Sequence, residues 1–247
     1  MSSQLAISLE NALLYRTLEQ KVEQRTAQLA KANDKITHLN QRLQAENMRM
    51  SAELDVAEKR QKMVLPSDSE LKAIEALDIT GFMAPADEVG RDYYDVQVHE
   101  GRIKIGIGDV TGHGLESGVL MLMVQTAVET LLTTDIQNPE TFLILLNRAI
   151  YKNVQRMGID KNLTLSLLDY EAGRVSLTGQ HEDILVVREG GQVERIDTYD
   201  LGFSVGVVAD IAEFVSQQEI QLQKGDGIVL YTDGITEARN LELIIST

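Results

Sequence analysis

The sequence contains no cysteine among its 247 residues. Disulfide bonds, thiolate metal sites and cysteine nucleophiles are therefore excluded, and hydrolytic chemistry has to depend on oxygen or nitrogen groups or on metal ions. Positive charge is also scarce, because 23 Lys and Arg residues stand against 38 Asp and Glu residues, for a formal net charge of -15. Such a chain repels phosphate backbones and anionic membranes, so we expect no nucleic-acid binding and no membrane binding.

Long hydrophobic runs and targeting signals are missing as well. The longest apolar stretch, residues 118–124, is too short to span a bilayer and is followed by Gln125 and Thr126. The N-terminal segment is amphipathic and lacks the basic region, apolar core and cleavage site of a secretory signal. We therefore expect a cytoplasmic protein.

Glycine and proline are absent from residues 1–65, which consist mostly of good helix formers. The segment is predicted to form one long helix that ends near Pro66. Apolar residues recur in it every seven positions, the period of a coiled-coil seam. These residues are Val22, Leu29, Ile36, Leu43, Met50, Ala57 and Val64. A second seam row contains the apolar residues Leu18, Ala32 and Leu39, but it also holds Arg25, Glu46 and Glu53. The segment is therefore interpreted as a parallel dimeric linker, and a solvated single helix is the alternative.

Short alternating or β-branched runs follow a predicted domain boundary at residues 66–70. Turn pairs such as Glu100-Gly101 and Lys224-Gly225 separate these runs and predict antiparallel hairpins. The runs cover residues 76–85, 93–110, 162–179, 183–196, 213–222 and 226–234.

Two helices are predicted between the second and third of these runs, over Leu115–Leu132 and Pro139–Val154. Asn138 and Pro139 suit the cap and the first turn of the second helix. The apolar residues near the start of the first helix, Val119, Leu120, Leu122, Met123 and Val124, are expected to be core. Strands, a helical pair and further strands predict an α+β layered fold.

Three short motifs place an aspartate where a strand gives way to a turn. They are VGRDYYDV at 89–96, GIGDVTGHG at 106–114 and LYTDGITEA at 230–238. If the fold brings Asp92, Asp109 and Asp233 together, they would suit Mg²⁺ or Mn²⁺, which prefer oxygen ligands. Taken alone, an Asp-Gly pair is more often a plain turn than a ligand. A phosphate-binding loop is the weakest interpretation of GDVTGHG, because the lysine of a P-loop is absent.

The motifs PADEVGRDYYDV, GDVTGHGLESGVLMLM and KGDGIVLYTDGITEARN occur in this order with compatible spacing. As a set they resemble the PPM-type metal-dependent serine/threonine phosphatases of the bacterial SpoIIE/RsbU branch, over about residues 69–240. The resemblance implies an antiparallel β-sandwich flanked by helices, with two Mn²⁺ or Mg²⁺ ions at one edge and a bridging water that attacks phosphoserine or phosphothreonine. The expected domains are a helical coiled-coil linker, 1–65, and a phosphatase domain, 69–247, without the family's closing C-terminal segment.

The resemblance also implies roles for individual residues. Asp92 and Asp109 are the expected shared metal ligands, Val110 contributes its carbonyl, and Asp233 is a further ligand. His113 joins Asp92 and Asp109 in the expected catalytic set, where it either orients the turn before the next helix or protonates the leaving serine oxygen.

Three further residues have a less direct relation to the family pattern. Asp95 is expected to be a supporting carboxylate. Residues 180–182, Gln-His-Glu, replace the family's usual alanine-glycine-histidine segment with the histidine in place, and His181 is expected to be a structural turn residue. Arg91 stands where the family usually has a glycine. Its guanidinium either competes with the metal ions by repulsion or binds the incoming phosphate.

The resulting first hypothesis is a cytoplasmic, homodimeric, metal-dependent phosphatase that is regulated through its N-terminal coiled coil. The resemblance implies a phosphorylated STAS-domain protein of the anti-sigma-antagonist type as its substrate. Residues 4–20 are similar to the last helix of a GAF sensor domain that leads into a signalling linker. The alternative is a catalytically weak or inactive phosphatase-like module that dimerises and binds partners. A pure coiled-coil adaptor is disfavoured by the acidic motifs.

Overall fold

A computed structural model of the chain describes residues 2–62, 65–83, 91–112 and 114–237. The chain divides into two compact units, Met1–Glu53 and Leu54–Thr247. The long N-terminal helix is confirmed, because helix α1 spans Ser2–Lys62 and ends before Pro66. The seam side chains between Leu18 and Met50 are largely exposed, at 46% to 69%. No helix in the described part of the chain combines the length and the apolar character needed to span a membrane.

The described residues of the second unit form eight strands, four further α-helices and two short 3-10 helices, Tyr199–Leu201 and Ala212–Phe214. The strands are β1 Asp92–His99, β2 Arg102–Val110, β3 Leu163–Glu171, β4 Arg174–Gln180, β5 Ile184–Val187, β6 Val193–Ile196, β7 Gln217–Gln221 and β8 Gly227–Val229. The helices are α2 Asp68–Lys72, α3 Leu115–Leu132, α4 Pro139–Met157 and α5 Asp233–Thr236. The predicted α+β class with antiparallel sheets is therefore confirmed.

The strands form two antiparallel sheets, a large one in the order β1-β2-β3-β4-β7 and a small one in the order β6-β5-β8. The predicted hairpins β1-β2, β3-β4 and β5-β6 are present. The predicted β7-β8 hairpin is wrong, because β7 pairs with β4 and β8 pairs with β5. Strand β7 forms an edge of the large sheet and β8 forms an edge of the small sheet. The Lys224-Gly225 turn pair between them does not indicate which sheet each strand joins.

The strand predicted over residues 76–85 is also wrong for its described part. Residues 76–83 form no strand, and several of them line a cavity beside β1. An alternating pattern indicates one buried face, but a strand also needs a partner for its backbone hydrogen bonds. Residues 84 and 85 lie outside the described part of the chain.

Successive side chains of a strand point to opposite faces of its sheet. In the large sheet both faces carry apolar side chains, and both are covered by other elements. One face packs against α3 and α4, and the other packs against the small sheet. In α3, Leu120 and Val124 are fully buried as expected. Val119 and Leu122 are 37% and 48% exposed, so their predicted core role is wrong. With 3.6 residues per turn, these two side chains lie on the side of α3 that faces away from the large sheet.

Helix α4 has the predicted start and a well-defined end. Asn138 accepts a hydrogen bond from the Thr141 N–H at 2.7 Å, and Pro139 occupies the first turn. The helix runs past the predicted Val154 to Met157, and Gly158 follows it in the left-handed conformation at φ 65°.

Asn147 fastens α4 to the loop that follows the small sheet's hairpin. This side chain is fully buried. Its Nδ2 donates to the Val208 carbonyl at 3.0 Å, and its Oδ1 accepts from the Gly206 N–H at 2.9 Å. The Gly206 N–H is buried away from water and therefore depends on Asn147 for its partner.

We expect Asn147→Ala to lower the free energy of unfolding by about 2 kcal/mol or more, because it leaves the buried Gly206 N–H without a partner. Asn153→Ala on the same helix is the control, since its side chain donates to the Ala149 carbonyl one turn away within the same helix. The control should change stability by less than about 0.5 kcal/mol in urea titrations. Equal losses in both variants would contradict this role of Asn147.

Candidate metal centre

Asp92 and Asp109 are direct partners across β1 and β2. The two-residue turn between the strands sets this register, because both partners lie at equal distances from it along the chain. Glu100 and Gly101 have φ values of 49° and 83°, as a tight hairpin turn requires. Directly paired side chains lie on the same face of a sheet, so the register brings two carboxylates together.

The Asp109 carboxylate has an unusual environment. Its Oδ1 is buried and has no hydrogen-bond partner in the described part of the structure. Burial raises the pKa of Asp109 to about 6, and the charges of Asp233 and Asp92 act in the same direction. The Arg91 guanidinium and the Val110 N–H lower it. The three aspartates predicted from the motifs therefore interact at one end of the large sheet.

Asp233 reaches this place from the small sheet. Strand β8 ends at Val229, and Asp233 begins the short helix α5 four residues later. Arg91, Asp92 and Asp233 line one cavity of about 640 Å³, whose walls include residues of both sheets. The predicted motifs at 89–96 and 230–238 thus contribute to one site although they belong to different sheets.

Val110 is the last residue of β2. Its side chain is fully buried and belongs to the core under α3 and α4. Its N–H donates to the Arg91 carbonyl at 3.2 Å, which holds the start of β1 against the end of β2. The structure therefore places Val110 at the predicted site, while its role as a carbonyl ligand stays a prediction.

The GDVTGHG turn follows directly and requires glycine at two positions. Gly112 and Gly114 have φ values of 71° and 98°. A Cβ at Gly112 would also collide with the Lys161 Nζ. His113 lies outside the described residues, so both roles considered for it stay predictions.

Arg91 brings a positive charge to the same cavity. The Arg91 guanidinium lowers the pKa of Asp109 because its positive charge attracts this carboxylate. The charge of Arg91 offsets part of the repulsion among the three aspartates.

Asp95 does not support this site, so its prediction as a supporting carboxylate is wrong. It lies three residues after Asp92 and therefore faces the opposite side of the sheet. Its carboxylate is bound there by the Val96 N–H at 2.9 Å and by Gln97 Nε2 at 2.6 Å. Burial raises the pKa of Asp95, and Glu129 of α3 contributes in the same direction.

His181 belongs to the site, although the sequence predicted only a structural turn. Its Nδ1 lies 2.8 Å from Thr164 Oγ1, and Thr164 is the register partner of Asp109. Burial lowers the pKa of His181 to about 4, while Asp92, the Tyr231 carbonyl and Asp233 act in the opposite direction. The imidazole is therefore neutral and lies near two of the site's carboxylates.

The backbone of His181 is held firmly. Its N–H donates to Thr198 Oγ1 at 2.9 Å, and the Thr198 hydroxyl donates back to the His181 carbonyl at 2.5 Å. Its Nε2 is buried and makes no hydrogen bond of regular geometry among the described residues, while the Tyr231 carbonyl is near enough to the ring to raise its pKa. The pairing of β3 with β4 and the path of the chain after β8 bring His181 to this position. The sequence contains one signal for it, because His181 matches the histidine of the family's alanine-glycine-histidine segment.

The donor set suits a hard divalent cation. The three carboxylates supply oxygen ligands and excess negative charge, and Asp109 Oδ1 is a buried acceptor without a partner. Within the described ranges, no three His, Asp or Glu side chains form a group arranged to hold a metal ion. Mg²⁺ commonly uses only one or two carboxylates and keeps several waters, so a closed group of three side chains is not a requirement for binding it.

In metal-free buffer, we expect Asp109→Asn to raise the melting temperature at pH 7.5. The raised pKa means that ionising Asp109 costs folding stability, and the neutral amide avoids this cost. The advantage of the variant should be full above pH about 6 and should disappear as the pH falls toward 4 and the wild-type carboxyl becomes protonated. Asp160→Asn, at an exposed position, is the control and should show no such advantage. A wild-type chain that is more stable than Asp109→Asn at pH 7.5 would contradict the clustering of the carboxylates.

Comparisons with known proteins agree with the fold and with the motifs. The model of the family "Stage II sporulation protein E (SpoIIE)" matches residues 99–245. Phosphoserine phosphatase RsbU of Bacillus subtilis (strain 168) is 30% identical over 208 residues, which are 81% of this chain and 58% of RsbU. The chain thus spans somewhat more than half the length of this curated relative.

Two solved structures share the fold. The SiaA-PP2C domain of Pseudomonas aeruginosa superimposes with a TM-score of 0.63 at 22% identity, over 77% of this chain and 74% of that domain. The S. agalactiae serine/threonine phosphatase gives a TM-score of 0.52 at 13% identity, over 63% of this chain and 77% of that structure. The chain belongs to the SpoIIE family and shares its fold with a PP2C domain.

Proposed function

We propose that the chain is a metal-dependent protein phosphatase that hydrolyses phosphoserine or phosphothreonine on a bacterial signalling protein. The observation that carries this proposal is the carboxylate site of Asp92, Asp109 and Asp233, with its buried unpartnered Oδ1, in a chain of this family. PP2C-type phosphatases are metal-dependent and use Mg²⁺ or Mn²⁺. The relative RsbU carries the name phosphoserine phosphatase, which supports the same reaction class.

The side chains of Asp92, Asp109 and Asp233, with the Val110 carbonyl, would hold two Mn²⁺ or Mg²⁺ ions. When bound, such ions supply a water of lowered pKa and offset the charge on the phosphoryl oxygens. His113 then either orients the turn or protonates the leaving oxygen.

The substrate we propose is a phosphorylated STAS-domain protein of the anti-sigma-antagonist type. The membership in the SpoIIE family and the 30% identity to RsbU support this choice. The high net negative charge of the chain disfavours nucleic-acid and membrane partners. A cytoplasmic location belongs to the same proposal.

We expect the chain to hydrolyse a phosphoserine peptide in the presence of Mn²⁺ and to lose this activity when a chelator is added. Asp109→Asn should lower kcat/KM by at least about 100-fold, since a lost ligand removes several kcal/mol of transition-state stabilisation. The assay measures released inorganic phosphate, with Asp160→Asn as the folded control.

One observation favours the rival hypothesis of a weak or inactive phosphatase-like module. The described side chains form no closed group of three metal ligands. Absence of Mn²⁺-dependent turnover in the wild-type chain would therefore support the rival and refute the enzyme. Equal turnover in the wild type and Asp109→Asn would instead refute the role of Asp109.

Helix α1 is part of the proposal as a dimeric coiled-coil linker over residues 1–65 that regulates a phosphatase domain over 69–247. Its heptad seam is largely exposed between Leu18 and Met50. Apolar side chains in such a row favour pairing with a second copy of the same row. The polar residues Arg25 and Glu46 in the second row weaken individual layers, which suits a linker that changes register or rotation.

Ile36→Asp should turn a dimer into a monomer at micromolar concentration, because it puts a charge into the centre of the seam. Ile36 is 56% exposed in the single chain, so the substitution should leave the monomer folded. Gln41→Asp, five residues along the helix and off the seam, is the control and should remain dimeric. Sedimentation equilibrium measures both masses. A monomeric wild-type chain, or a dimer that survives Ile36→Asp, would contradict the proposed seam.

A further inference from the structure

Lys161 brings a second positive charge, besides that of Arg91, to the end of the large sheet that carries Asp92 and Asp109. We propose that Lys161 Nζ binds the phosphoryl group of the substrate. This inference rests on the proposed function, because it assumes that the site hydrolyses a phosphomonoester. It adds a residue that binds the substrate, and it assigns no further metal ligand.

The location of Lys161 is the first support. Lys161 lies between α4 and β3, two residues before Leu163, and Leu163 is the register partner of Val110. Its Nζ occupies the side of Gly112 where any other residue would carry its Cβ. Because Gly112 lies three residues after Asp109, the ammonium group stands at the turn that follows this carboxylate.

The lack of a counter-charge is the second support. The Lys161 side chain is half-buried, and it forms no ion pair and no hydrogen bond with any residue that the structure describes. By contrast, Lys104 pairs with Asp169, and the charge of Arg91 acts on Asp109. A partly desolvated ammonium group without a counter-charge gains more from an anionic ligand than a fully hydrated or paired one does.

The rigid backbone around Lys161 is the third support. The Thr111 N–H donates to the Asn162 carbonyl at 2.9 Å, and the Asn162 N–H donates to Thr111 Oγ1 at 3.1 Å. Ser117 of α3 donates to the Gly112 carbonyl at 3.1 Å and holds the turn from its other side. Only the side-chain torsions of Lys161 remain to be ordered when a ligand binds, which keeps the entropic cost of binding low.

The electrostatics of the site give such a cation a purpose. A phosphoserine side chain carries a charge of about -1.5 to -2 near pH 7. The carboxylates of Asp92, Asp109 and Asp233 repel it, and so does the chain as a whole, with its net charge of -15. Lysine binds phosphate as a point charge, so a free ammonium group beside these carboxylates offsets part of the repulsion.

The test compares Lys161→Gln with the wild type on a phosphoserine peptide and on p-nitrophenyl phosphate, both with Mn²⁺. The substitution should raise KM about tenfold for both substrates and should raise the inhibition constant of inorganic phosphate by about the same factor, because all three present the same phosphoryl oxygens. The kcat should change by less than about threefold, as expected when binding alone is weakened.

Two further variants serve as controls. Lys161→Arg keeps the positive charge and should retain at least about half of the wild-type kcat/KM. Lys152→Gln removes an exposed lysine of α4 and should behave as the wild type. Lys161→Met, which keeps the apolar stem, takes the place of Lys161→Gln if that variant does not fold. Calorimetry should find the Mn²⁺ affinity of Lys161→Gln within about twofold of the wild type, since Lys161 is no metal ligand.

An unchanged KM and an unchanged inhibition constant in Lys161→Gln would overturn the inference and leave the proposed function intact. A KM that rises for the peptide alone would also overturn it, because Lys161 would then bind an acidic side chain of the peptide. A clear loss of Mn²⁺ affinity would do the same, since the substitution would then act through the turn at Gly112. A wild-type chain that hydrolyses neither substrate would overturn both the inference and the proposed function.

Discussion

Repulsion between facing carboxylates is the constraint on which the functional end of this domain depends. The hairpin turn at Glu100-Gly101 sets Asp92 opposite Asp109, and the path after β8 adds Asp233. Burial makes each negative charge more costly than it would be in water. Arg91 offsets part of this cost, and a divalent cation would offset much more of it. The domain therefore keeps a local instability that ligand binding can remove, which is a common property of functional sites.

The architecture shows how such a site is kept rigid. The α3 and α4 helices cover one face of the large sheet with a continuous apolar core, and Asn147 fastens the loop at 206–208 to α4. Asp92 and Asp109 lie on the other face of the large sheet, the face that packs against the small sheet. His181 lies in the crossing from β4 to β5, between the two sheets in sequence. The site thus takes its residues from the ends of strands in both sheets, while the packed layers hold those ends in place.

Local features of the fold were predictable because nearby residues determine them. The long helix, three hairpins and the Asn138 cap of α4 all follow from composition, turn pairs and period. Features that depend on distant partners were not predictable. The β7-β8 hairpin is absent because the two strands join different sheets. Similarly, Lys104 looks like a surface residue in the sequence but is buried, with its Nζ 2.6 Å from Asp169 Oδ2 and 4.0 Å from the centre of the Phe142 ring.

The candidate site divides in the same way. The sequence by itself determined which aspartates stand at strand ends, and its motifs identified the family, because these are short patterns within single turns. The opposite face of Asp95 already follows from alternation along one strand, because Asp95 lies three residues after Asp92. Only the tertiary structure decided that His181 lies near the aspartates. The position of His181 depends on hydrogen bonds to Thr164 and Thr198, each 17 residues away along the chain. Contacts over such distances leave no trace in local patterns, because they form only when the sheets pair and the layers pack.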